Sequence, residues 1–150
     1  MKRVFALILT LVLVLSCAGC TPRTALTAAG FQAAMEEAGF EVKDITDTYN
    51  TNDIEVVILM AEKDGCEIEF FEFKMESDAL GVFANFRDEA EDLPHTGSVS
   101  VTMPDFAKYE QTSGSSVYFM SLIDKTIVCY IVEKDDSSAV KDVIDALGYN

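Results

Sequence analysis

Ile54-Glu55-Val56-Val57-Ile58-Leu59-Met60-Ala61-Glu62-Lys63-Asp64-Gly65-Cys66-Glu67-Ile68-Glu69-Phe70-Phe71-Glu72-Phe73-Lys74-Met75 decides the fold. Two apolar, β-branched and aromatic runs meet at Asp64-Gly65, a dipeptide that accepts the positive φ angles of a two-residue hairpin turn. With Asp64 and Gly65 as the loop, the numbers of facing residues sum to 129. Val56 then faces Phe73, Ile58 faces Phe71, and Glu55 faces Lys74 as an opposite-charge pair worth roughly 0.2–1 kcal/mol. The same register sets Glu62 against Glu67.

A second hairpin follows, Val117 to Ile123 and Thr126 to Glu133 around Asp124-Lys125. Its first strand is apolar on both faces, with Tyr118, Met120 and Leu122 on one and Val117 and Phe119 on the other. Such a strand is central in a sheet, or one of its faces meets a partner. Phe119, Tyr130 and Val132 are the candidate partner face. Weaker strands are expected at Glu41 to Thr46, Ser98 to Met103 and Phe106 to Thr112.

Three helices are legible. Thr27 caps a first helix over Ala28 to Ala38, closed by Gly39, with Phe31, Ala34, Met35 and Ala38 as its stripe. A second runs from Ser77 to Asp92, facing inward with Ala79, Val82, Phe83, Phe86 and Ala90, and Pro94 follows its end. A third, Ser138 to Leu147, buries Val140, Val143, Ile144 and Leu147 and stops at Gly148.

Sliding the chain along itself until Asp64 falls on Asp124 aligns strand, turn, strand and helix in the two halves. The same offset sets Lys74 on Lys134, Ser77 on Ser137, Ala79 on Ala139, Val57 on Val117 and Met60 on Met120. The pattern suggests a duplicated β-β-α unit. The expected fold is α+β: a mostly antiparallel sheet of about six or seven strands, with three helices packed mainly on one face. Phe70, Phe71, Phe73, Phe83 and Phe86 are expected to anchor its core.

The first nineteen residues read differently. Lys2 and Arg3 precede Val4 to Leu15, an almost unbroken apolar run. It falls short of the ~20 residues that span a bilayer and has the length of a signal-peptide core. Ala18-Gly19-Cys20 resembles a lipobox, in which small residues precede a cysteine that receives diacylglycerol. The aliphatic residue usual three places before that cysteine is here Cys17, so Cys17 is the alternative lipidated residue. Residues 1–19 are expected to be a lipoprotein signal peptide, 20–26 a lipidated tether and 27–150 one domain. The implied location is extracytoplasmic, on the cell membrane.

The whole mature chain resembles small uncharacterised lipoproteins of Gram-positive gut anaerobes. The likeness rests on Leu26-Thr27, Ala38-Gly39-Phe40, Glu69-Phe70-Phe71-Glu72-Phe73, Leu122-Ile123-Asp124-Lys125-Thr126 and Ala146-Leu147-Gly148-Tyr149. It implies anchorage on the outer face of a single cytoplasmic membrane and carries no activity with it.

Removing the leader takes two of the 11 basic residues, Lys2 and Arg3, and none of the 26 acidic ones. What remains carries nine basic groups against 26 acidic, a net charge of −17. That surface repels nucleic acid and anionic headgroups and suits solubility, cations or basic partners. Among the chemistry-bearing residues, the lone His95 sits in a loop, and no GxSxG motif accompanies it. No phosphate-binding glycine loop or dinucleotide fingerprint is present. Asp44, Asp47 and Asp53 form a candidate Ca²⁺ site of hard oxygen donors, without the glycine and closing glutamate of an EF-hand loop. Turn formation alone also explains such a loop. Cys66 and Cys129 remain in a compartment that permits a disulfide, so a bridge between them is one expectation and a small core role for Cys129 another. Two functions stay open: a non-catalytic module binding a protein partner or small ligand, and a cation-dependent or unrecognised enzyme using clustered carboxylates.

Overall fold

Asp64 and Gly65 take φ angles of 52° and 83°, so both turn residues have the left-handed backbone that a tight hairpin needs. The register follows: Val56 pairs with Phe73, Ile58 with Phe71 and Glu62 with Glu67. Lys74 and Glu55 form their ion pair just beyond the ladder. This hairpin is the first half of a seven-stranded sheet in the computed structural model, which describes residues 23–49, 51 and 54–150. Residues 1–22, which include the expected signal peptide with Cys17 and the expected lipidation residue Cys20, lie outside the described residues, as does Asp53.

In chain order the elements are α1 (Ala28–Glu37), β1 (Glu41–Asp44), a 3-10 turn (Thr46–Thr48), β2 (Val56–Lys63), β3 (Cys66–Phe73) and α2 (Glu76–Glu91). There follow β4 (Gly97–Met103), β5 (Phe106–Ser113), β6 (Ser116–Ile123), β7 (Thr126–Glu133) and α3 (Ser137–Leu147). The sheet order is β1-β2-β3-β7-β6-β5-β4, and every neighbouring pair is antiparallel. The doubly apolar β6 and β7 are central, the first of the two positions their sequence allows. The offset that sets Asp64 on Asp124 carries the bounds of β2 onto β6 and those of β3 onto β7. The two hairpins join where β3 pairs with β7, and Glu69 lies opposite its own equivalent, Cys129. The strands are therefore related by a local dyad through that pair.

The helices break this symmetry. On one face, Phe31 and Met35 of α1 and Val140 and Ile144 of α3 pack with Phe70, Phe119 and Tyr130. On the other, Ala79, Phe83 and Ala90 of α2 pack with Ile58, Phe71 and Met120. Two of the three helices thus share a face and the third covers the opposite one. The connection from β7 to α3, Lys134 to Asp136, is one residue longer than that from β3 to α2, Lys74 to Met75. The buried positions shift with it, from Ala79 and Phe83 in α2 to Val140 and Ile144 in α3, one residue beyond the equivalents Ala139 and Val143. One residue is a rotation of about 100° on a helix.

Local chemistry closes the ends. Thr27 Oγ1 accepts from Gly30 N at 3.1 Å, and Glu72 Oε2 accepts from Ala28 N at 2.7 Å, a carboxylate at the positive pole of α1. Gln111, buried on β5, donates to Ala90 O at 2.7 Å and so ties the last turn of α2 to the sheet. Arg23 to Leu26, read from the sequence as tether, pack against the domain. The Arg23 guanidinium lies 3.8 Å from the Phe106 ring centroid and donates to Asn150 O at 3.2 Å. Leu26 N donates to the hydroxyl of buried Tyr149 at 3.1 Å. Thr126 donates its own proton to Ile123 O, so the Tyr149 hydroxyl donates to Thr126 Oγ1, at 2.6 Å. The chain's first described residues are thereby fastened to its last.

Candidate functional site

α2 crosses its face toward β5 and leaves the far ends of β3, β7 and β6 bare. The result is an open groove of about 650 Å³. Its floor is Glu69, Met120, Cys129 and Ile131, with Tyr118 at the outer end. Tyr49, just after the 3-10 turn, stands on one side, and Phe86, Glu89 and Leu93 on the other. The dyad explains why the space is empty. Phe71, which α2 covers, is 3% exposed, whereas its equivalent Ile131 is 62% exposed. The face above Ile131 is where the symmetry would set a second helix, and α3 has gone to the other side.

Glu69 is the organised polar group of the floor. Its Oε1 accepts from the Tyr49 hydroxyl at 2.7 Å, and its Oε2 lies 3.9 Å from Cys129 Sγ. Burial raises the pKa of Tyr49, and the adjoining Glu69 carboxylate adds to it. Burial likewise pushes the Cys129 thiol up, with the charge of Glu69 second. Both groups therefore remain protonated donors at neutral pH, and Cys129 is a poor nucleophile. Phe71 meets Tyr49 and Phe86 edge-on, each at 6.0 Å between centroids, which makes an aromatic wall continuous with the core. No lysine, arginine or histidine lines the groove among the described residues.

The candidate partner face is corrected. Phe119, Tyr130 and Val132 are buried in the core shared with α1 and α3. Phe119 and Tyr130 stack at 4.8 Å there and border the groove only from behind. The strands were the right ones, but side chains alternate across a sheet, so the open positions are the neighbours Tyr118 and Ile131. The Cys66–Cys129 bridge is also absent, and both thiols are free. Glu69 pairs with Cys129, and Cys66 is three residues from Glu69 on the same strand, so the two cysteines project from opposite faces.

Asp44 Oδ1 accepts from Thr46 N at 2.9 Å, and the Thr46 side-chain hydroxyl, with this backbone amide second, holds its carboxyl below the usual value. Asp47 is exposed in the 3-10 turn, and Asp53 lies outside the described residues. Among the described residues no three His, Cys, Asp or Glu side chains are grouped to hold a metal ion. His95 is exposed and its Nδ1 lies 2.9 Å from Leu93 O, off the groove. Among the described residues no helix is long and apolar enough to cross a membrane.

Glu69 and Ile131 were not singled out as site residues by sequence reasoning, which named Tyr118 only as part of an apolar face of β6. The internal offset equates Ile131 with Phe71, which is buried, and so gave no sign that Ile131 is open. No protein-family model, curated protein or solved structure matches the chain.

Proposed function

We propose that the protein is an exported lipoprotein, held on the outer face of the cell membrane through Cys20, and that its domain is a non-catalytic binding module. The observation that carries the binding reading is the groove above Ile131. It is a concave, largely apolar site with a few placed polar groups, in the size range of small-molecule pockets. Its polar groups are carboxylates, phenols and a protonated thiol with no histidine beside it, a set suited to recognition rather than to nucleophilic attack.

Attachment geometry supports the same reading. Arg23 lies against Phe106 and Asn150, at the end of the sheet that holds the β6–β7 turn. Tyr118 and Ile131 lie toward the opposite end, six residues along β6 from Asp124, roughly 20 Å at about 3.3 Å per residue. An anchor at Cys20 then leaves the groove open on the side away from the membrane.

The test is a fragment screen on the isotope-labelled full chain, read by backbone amide shifts. Binding fragments are expected to perturb Glu69, Tyr118 and Ile131 together. A screen whose hits all map elsewhere, or that yields none, removes the groove as the functional site.

A further inference from the structure

We infer that the groove takes a small organic cation: an ammonium group carried on an apolar, aryl or alkyl body. This rests on the proposal that the groove is a binding site and specifies its ligand. Three carboxylates, Glu67, Glu69 and Glu89, border the space, and no basic side chain offsets them among the described residues. Glu69 already receives two donors, the Tyr49 hydroxyl and the Cys129 thiol, but both are neutral, so its charge is oriented without being cancelled. The remaining surface is apolar or aromatic: Met120, Ile131, Leu93, Phe86, Tyr118 and the Tyr49 ring. Aromatic faces beside carboxylates attract an ammonium twice, through the ring quadrupole and through charge.

The other charge classes fit worse. An anion would enter against three local carboxylates and a chain whose net charge is −15. A neutral apolar ligand would fill the floor but gain nothing from the rim. The apolar floor in turn disfavours a bare inorganic cation, which keeps its water and prefers oxygen ligands on several sides. An acidic field over the whole domain also raises the local concentration of cations and speeds their encounter.

Calorimetric titration of the full chain in a neutral maltoside detergent tests this, with detergent-only blanks. The probes are phenylbutylammonium, phenylbutanol and phenylbutanoate, which share one apolar body and differ in charge. The ammonium is expected to bind tightest, the carboxylate weakest. The double variant Glu67→Gln/Glu89→Gln, at two exposed rim positions, should weaken the ammonium about tenfold and leave the alcohol unchanged. Ile131→Arg, which sets a cation in the groove at an exposed strand position, should abolish binding of all three. Should the alcohol bind as tightly as the ammonium, or the double variant leave the ammonium unaffected, the cation inference fails while the groove stands as a binding site. If none of the probes binds, or Ile131→Arg changes nothing, the binding-site proposal fails with it.

Discussion

Glu69 and Cys129 face each other across the β3–β7 seam and are equivalent positions of the two hairpins. The duplicated strands thus meet at their own symmetry point, and one member of the pair is a carboxylate that holds the other's thiol. The groove lies over this point because only one of the two following helices stays on that face.

The broken symmetry sets two substitutions against each other. Phe71→Ala removes a buried ring that meets Tyr49, Phe73 and Phe86, and should cost about 3–5 kcal/mol. Ile131→Ala, at the equivalent but exposed position, should cost less than about 1 kcal/mol. Urea denaturation of both variants checks this; equal losses would mean that Ile131 is covered in solution.

Tyr149→Phe tests the clasp between the chain's ends. It deletes a buried hydroxyl that accepts from Leu26 N and donates to Thr126 Oγ1, and should destabilise by about 1–3 kcal/mol. Hydrogen exchange should also quicken at the Leu26 amide. Loss of stability without faster exchange there would show that Arg23 to Leu26 are held by other contacts.

Stability should fall on the alkaline side. Tyr49, Cys129, Tyr130 and Tyr149 all have pKa values raised by burial, and their neutral forms are favoured in the folded state. Unfolded thiols ionise near pH 8.5 and phenols near pH 10, at roughly ordinary values. The stabilisation is therefore full below those pH values and is lost progressively as pH rises through them. Melting temperature measured across this range should decline above about pH 9. Glu69→Gln removes the second cause acting on Cys129 and should speed its alkylation at a fixed pH. A slower reaction would contradict the assigned contact.

Export chemistry is tested in cells. Cys20→Ala should abolish globomycin-sensitive processing and incorporation of labelled fatty acid, whereas Cys17→Ala should leave both in place. Normal processing of Cys20→Ala would move the anchor to Cys17 or remove it.

Much of the local structure was legible in short stretches of residues. Asp64-Gly65 determined the register of β2 on β3, because a two-residue loop leaves a single set of facing partners. Thr27, Gly39 and Gly148 marked helix ends, and alternation along β6 showed that both of its faces are apolar. These are local matters, decided by φ angles, caps and side-chain period within about ten residues. Which apolar face stays open was not local. It depends on where α3 docks, and neither Phe119 nor Ile131 carries a mark that separates a face under a helix from a face under water. The absent Cys66–Cys129 bridge has the same origin, since only the β3–β7 register shows the two cysteines on opposite faces.

The sequence by itself therefore determined the elements, their order, their turns, the strongly acidic balance and an expected lipid anchor. Tertiary structure alone decided the β3–β7 seam, the split of helices between two faces, and hence the groove. The physical reason is that hydrogen bonding and side-chain period act over neighbouring residues. The choice between two apolar faces is made by packing between segments far apart in the chain, where one extra residue before α3 accompanies the exchange of faces.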